Sequence, residues 1–190
     1  CAWCCCLEEE GTMTDSVNIR ELALGIMLEV TEKGQYSHLV LRAVLEKHQY
    51  LEKGERAFLT RLTEGTIQRM IELDYIIDLF SKIKAAKMKP VIRNILRLGV
   101  YQLKYMDGVP ASAACNEAVK LAKKKGFASL SGFVNGVLRT VGRNLGQIAY
   151  PSEETEPVRA LSVRYSIPQW LASQWVLEYG MERTRQMMQA

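Results

Sequence analysis

Four cysteines crowd into the first six residues, Cys1, Cys4, Cys5 and Cys6, and only Cys115 lies in the body of the chain. Cys1 and Cys4 have the C-x-x-C spacing of half a zinc site, but no second ligand pair follows at zinc-finger separation. A disulfide-built secreted domain spreads its cysteines through the chain, so the body reads as a reduced, intracellular protein, placed in the cytoplasm. His38 and His48 have neither the spacing of a metal pair nor an obvious Cys or Ser partner. Cys115 falls at a helix start, where the dipole favours a thiolate, yet Ala113, Ala114 and Ala118 around it mark a small packed position. Glu117, Glu153 and Glu154 form no recognisable acid–base pair. Gly132 and Gly136 make G-x-x-x-G without the preceding strand of a nucleotide fingerprint, and close approach of a neighbouring helix explains it better. Trp170, Trp175 and Tyr179 offer stacking surfaces, but on an amphipathic helix they are expected to pack. No catalytic, cofactor-binding or metal-ligating constellation emerges.

The elements that would position these residues are helical. Ile19, Leu22, Ala23, Ile26, Met27 and Val30 form one apolar stripe, opened by Asn18 with Glu21 three residues on, the spacing of a capping pair. After Gly34, Ser37 is expected to cap a second helix buried through Leu41, Val44 and Leu45. A third runs from about Glu55, and Asp74 is expected to cap a fourth. Pro90 suits the first turn of a fifth, whose face is Ile92, Ile95, Leu96, Gly99 and Leu103. The turn Asp107-Gly108-Val109-Pro110 precedes a sixth, capped by Ser112 and ending at Gly126, and a seventh carries Val134, Val137, Leu138 and Val141. No period-2 segment appears between Met13 and Leu145, so the fold class is all-α, a bundle of about seven helices.

Residues 1–12 read as an upstream extension before an ordinary start at Met13, and 13–145 as the helical domain. Residues 146–158, with Glu153, Glu154, Glu156, Pro151 and Pro157, read as an acidic linker. The remaining 159–190 form a short appendage: an extended piece at Leu161-Ser162-Val163, a helix from Pro168 to Tyr179 stopped by Gly180, and the start of another. No run of about 18 apolar residues exists, so nothing is expected to span a bilayer.

The charge is distributed unevenly. The chain has 25 Lys+Arg against 21 Asp+Glu, a net charge of only +4. Yet no acid occurs from Leu79 to Met106, which holds Lys82, Lys84, Lys87, Lys89, Arg93, Arg97 and Lys104, nor from Ala118 to Ser152, which holds Lys120, Lys123, Lys124, Lys125, Arg139 and Arg143. Solvated helix faces normally mix signs, so these windows predict a basic face that attracts polyanions and releases counterions on binding phosphates. The phosphate-contact candidates are Arg20, Lys87, Lys89, Arg93, Arg97, Lys104, Lys123, Lys124, Lys125 and Arg139. Arg93 and Arg97 stand one turn apart, facing away from part of the Ile92/Ile95/Leu96 stripe. Asn116 and Asn135 would read polar edges or brace helix junctions, and bracing is the favoured reading.

Two stretches carry a family resemblance. One is Arg93-Asn94-Ile95-Leu96-Arg97-Leu98-Gly99-Val100-Tyr101-Gln102-Leu103, followed by Met106-Asp107 and Val109-Pro110. The other is Asn116-Glu117-Ala118-Val119-Lys120-Leu121-Ala122-Lys123, followed by Gly132-Phe133-Val134-Asn135-Gly136-Val137-Leu138-Arg139. Over roughly residues 17–145 the chain resembles the NusB-like RNA-binding domain at the front of the RsmB (Sun/Fmu) rRNA cytosine-C5 methyltransferases. Leu161 to Leu171 and Tyr179-Gly180 resemble the segment leading into the methyltransferase half, with Ile167 where that family usually shows a histidine. The resemblance implies an all-α, NusB-like bundle whose short appendage leads toward a methyltransferase domain missing from this chain. It implies S-adenosylmethionine as cofactor of the full-length family, and none in this chain. The nucleophilic cysteine lies downstream in that family, and Cys115 cannot replace it, so the chain alone is expected to be inactive. The implied partner is ribosomal RNA, with a ribosomal protein or the assembling small subunit as a second; no membrane or DNA partner is expected. Its rivals are a NusB-type transcription antitermination factor and a protein-interaction scaffold.

Overall fold

A computed structural model describes residues 17–189; the cysteine-rich start, with Cys1 and Cys4 and the extension at 1–12, lies outside the described residues. Among those residues the structure is helical throughout, in nine α-helices. They are α1 (Ile19–Lys33), α2 (Ser37–Lys47), α3 (Lys53–Gln68), α4 (Met70–Phe80), α5 (Pro90–Tyr105), α6 (Ala111–Lys124), α7 (Ser131–Asn144), α8 (Pro157–Tyr165) and α9 (Gln169–Gln189).

Helix α5 is the axis. Pro90 supplies the first-turn φ, and ten of its residues from Ile92 to Gln102 are buried, so it is covered on nearly every side. Helices α1, α3, α4, α6 and α7 all pack against it. The core collects Leu24, Ile26 and Met27 from α1, Leu59 and Leu62 from α3, Ile76 and Ile77 from α4, and Val134, Leu138 and Val141 from α7.

Close helix approach falls at glycines other than the expected pair. Gly132 and Gly136 are exposed, and a side chain added at either would meet nothing within 4 Å. Gly99 instead lies under Leu138, whose Cδ2 would be 2.7 Å from an added Cβ, and Gly65 lies under the Tyr101 ring. Gly65→Ala is therefore expected to cost about 1–3 kcal/mol by overpacking, and Gly136→Ala to stabilise α7 by several tenths. Thermal melts of the two variants should move in opposite directions. Similar melts would mean that Tyr101 yields freely.

Asn18 accepts from the Arg20 and Glu21 amides, as its spacing requires. Three other expected caps are corrected. Tyr36 and Pro110, rather than Ser37 and Ser112, occupy the cap positions of α2 and α6, and neither supplies a side-chain bond. Helix α4 starts at Met70, so Asp74 is interior and its carboxylate goes to Arg97. The cap of α4 comes instead from Ser166, whose Oγ accepts from the Ile71 amide at 2.9 Å. Ser166 can reach it because it closes α8 in the left-handed region, φ 55°.

The expected extended piece at Leu161-Ser162-Val163 is helical, inside α8. Pro157 sits in the first turn, and packing against α4 buries Ala160, Leu161 and Val163. The segment read as a linker lies on the bundle. Tyr75 Oη donates to the Ala149 carbonyl at 2.6 Å, and Arg69 Nη1 to the Arg164 carbonyl at 3.2 Å. Tyr150 and Lys104 both donate to the buried Glu72 carboxylate, as does Tyr105 at 2.5 Å. Gly180 bends α9 with φ 75° and ψ 164°, a conformation open essentially to glycine. The bend returns Arg185 to Glu153 at 2.5 Å.

Candidate nucleic-acid interface

The segregation of charge along the chain does not survive folding. Acids on α1 and α4 reach across to the two acid-free windows and neutralise much of them. Arg97 is only 6% exposed, and its guanidinium grips Asp74 through Nε at 2.7 Å and Nη2 at 2.6 Å, with Nη1 on Asn94 at 3.0 Å. The expected outward face of Arg97 is thus inside the protein, and a charge reversal there would test folding rather than ligand contact. Arg93 is mostly covered and donates to Glu32 at 2.6 Å. Lys104 is spent on Glu72 and Tyr150. Lys124 and Lys125 both pair with Glu21 at 2.7 Å and keep partly exposed side chains.

Lys87, Lys89, Lys123 and Arg139 remain exposed and make no ion pair or hydrogen bond among the described residues. No described acid is paired with them. Lys82 and Arg143 share this state. Asn116 and Asn135, expected to brace helix junctions, make no side-chain hydrogen bond among the described residues.

Arg20 has a different setting. Helix α1 presents it into an open cleft of about 540 Å³ formed with the first turn of α3 and the middle of α6, a size within the roughly 300–1,000 Å³ of small-ligand sites. Its Nε donates to Gln102 at 2.7 Å, and its guanidinium carbon lies 5.0 Å from the centre of the Phe58 ring. Burial holds its pKa below the ordinary arginine value, partly offset by the nearby Glu117 charge. Across the cleft Glu117 accepts from Lys120 at 2.7 Å and from Asn18 at 3.2 Å. The Lys120 bond chiefly keeps that carboxyl below its usual range, outweighing burial, with the Asn18 amide adding to it. The cleft therefore sets a fixed planar donor beside an ionised acceptor. Phe58 is not among the sequence candidates and Glu117 is weighed there only as an acid–base carboxylate and set aside, because no local pattern joins α1, α3 and α6.

Among the described residues no three His, Cys, Asp or Glu side chains are placed to hold a metal. Cys115 is buried, and burial pushes its thiol pKa up, the opposite of an activated nucleophile. His48 Nδ1 lies 2.9 Å from the Val44 carbonyl oxygen at the end of α2. Trp170, expected to pack, is exposed. No described helix is long and apolar enough to cross a membrane.

Comparison with known proteins shows the family and the fold. The NusB family profile matches residues 17–143. A probable ribosomal RNA small subunit methyltransferase B of Bacillus subtilis is 38% identical over 165 residues, which is 87% of this chain but 36% of that protein. The transcription antitermination protein NusB of Dehalococcoides mccartyi is 32% identical over 136 residues, covering 71% of this chain and 94% of that protein. A crystal structure of the antitermination factors NusB and NusE with dsRNA superimposes with a TM-score of 0.60 at 24% identity, covering 66% of this chain and 93% of that one. The chain spans little more than a third of the length of the methyltransferase relative.

Proposed function

Since the chain belongs to the NusB family, we propose that it is the RNA-docking part of a cytoplasmic small-subunit rRNA cytosine-C5 methyltransferase, whose S-adenosylmethionine-binding catalytic domain lies outside these residues. One observation carries this reading over free-standing antitermination. The similarity to the Bacillus subtilis protein extends over 165 residues, longer than the family match over residues 17–143, so it continues into the appendage. The segment between the family match and the appendage is fastened to the bundle through Tyr150 on Glu72, and the appendage through Ser166 on the Ile71 amide. The domain that grips RNA and the segment leading to the catalytic half are thus coupled.

Lys123 and Arg139 supply phosphate contacts, with Lys87 and Lys89 as a second group. Arg93, Arg97 and Lys104 do not, because their charges are already paired with Glu32, Asp74 and Glu72. Phosphate contacts fix orientation and affinity with little sequence choice. The NusB relative and the NusB–NusE–dsRNA structure keep antitermination as the second reading.

Fluorescence anisotropy with small-subunit rRNA hairpins tests the proposal. The double reversal Lys123→Glu and Arg139→Glu should reduce affinity at least tenfold. It should also flatten the slope of log K against log salt by roughly 0.9 for each phosphate no longer neutralised. Undiminished binding with an unchanged slope would remove this face as the RNA face. Strong binding only after a ribosomal protein is added would favour the antitermination reading.

A further inference from the structure

We propose that the cleft between α1, α3 and α6 takes one unstacked nucleobase of the bound RNA, its polar edge read jointly by Arg20 and Glu117. The inference rests on the RNA-docking reading and deepens it: the free cations meet phosphates, whereas the cleft meets a base.

The Arg20 guanidinium is fixed by Gln102 on one side and by the Phe58 ring beneath it. Only its Nε is used, and its two terminal nitrogens have no partner among the described residues. A half-buried cation with unspent N–H donors bears a desolvation cost that an incoming acceptor would relieve. Beside it, each oxygen of Glu117 accepts a single hydrogen bond, one from Asn18 and one from Lys120, so both retain a free lone pair.

This donor–acceptor pair discriminates between ligands. A phosphate entering the cleft would gain Arg20 but would face the Glu117 carboxylate at close range. The exposed edge of an unpaired base carries acceptors and amino or imino donors side by side, and so satisfies both residues. The arginine face adds stacking area, as planar guanidinium groups do for splayed-out bases. A continuous duplex cannot supply such a base, because its edges are paired and its deep groove is closed to side chains. The ligand is therefore a single-stranded or bulged nucleotide.

The test compares two RNAs of equal length, one an unstructured single strand and one a perfect duplex, against wild type, Arg20→Lys, Phe58→Leu and Glu117→Gln, with a thermal melt of each variant. Wild type should prefer the single strand. Arg20→Lys keeps the charge but loses the planar fork, so single-strand affinity should fall about tenfold with its salt slope unchanged and duplex affinity unaltered. Glu117→Gln gives the sign that separates the ligands. It should weaken single-strand binding relative to duplex if a base sits in the cleft, and strengthen it if a phosphate does. Strengthening, or variants that melt normally and keep the wild-type preference, would overturn the inference and leave the RNA-docking reading intact. Failure of wild type to bind either RNA would instead remove that reading, and the inference with it. If Phe58→Leu disturbs folding, Glu117→Gln on the rim decides.

Discussion

Asp74→Ala should lower the stability of the domain by about 3 kcal/mol, the lower end for a broken buried ion pair. The fall should appear as a reduced urea midpoint at unchanged slope. Arg97 lies in the wall of the bundle, gripped at two nitrogens by Asp74 and at a third by Asn94, which in turn donates to Thr31 on α1 at 3.0 Å. Removing the carboxylate leaves a buried cation without its counter-charge. The Asp74 side chain is 31% exposed, so water entering at its position relieves part of the cost. A second replacement, Arg97→Leu, should recover most of the loss, because the stranded charge rather than a missing attraction carries the penalty. If Asp74→Ala melts like wild type, solvent already reaches Arg97 and the pair contributes nothing.

Acid should release the 146–165 segment from the bundle ahead of global unfolding. Burial raises the Glu72 pKa, but hydrogen bonds from Lys104, Tyr105 and Tyr150, with the Lys104 charge, outweigh it and hold the carboxyl below its ordinary value. A folded pKa below the unfolded value near about 4.3 means stability that is full above that pH and is lost as pH falls through the folded pKa. Burial, with the same carboxylate adding to it, raises the Tyr105 and Tyr150 hydroxyls, so both stay protonated donors throughout the neutral range. Near-UV circular dichroism from the stacked Tyr75–Tyr150 pair, centroids 6.1 Å apart, should be lost before far-UV helicity as the pH is taken below about 4.3. Glu72→Gln should reproduce the release at neutral pH, speeding amide exchange of α8 at least tenfold while α5 keeps its protection. Wild-type protection of α8 in that variant would mean that Ser166 and apolar packing suffice.

The seven bundle helices were legible because each apolar stripe repeats at helical spacing and is sealed by local signals such as Asn18, Pro90 and Gly126. Helix α8 was not, because Leu161-Ser162-Val163 is short and partly β-branched, and its helicity depends on a face offered by α4. The charged surface is misleading in sequence for a related reason. A window of sequence shows which acids are neighbours along the chain, whereas Arg97, Lys104 and Arg93 find theirs 23, 32 and 61 residues away. The cleft was hidden likewise: Arg20 was visible as a cation, but its platform on α3 and its counter-acid on α6 meet only in the folded chain.

The central position of α5 also sets a schedule for synthesis. Its covering comes from α1, α3 and α4, which leave the ribosome before it, and from α6 and α7, which leave after. A nascent chain carrying the first five helices therefore exposes the apolar flank of α5 that Leu138 later covers, and such a flank is a target for chaperones and for aggregation. Glu117 joins Arg20 only when α6 arrives, so the growing polypeptide lacks half of the lining of the Arg20 cleft until the covering of α5 is nearly complete.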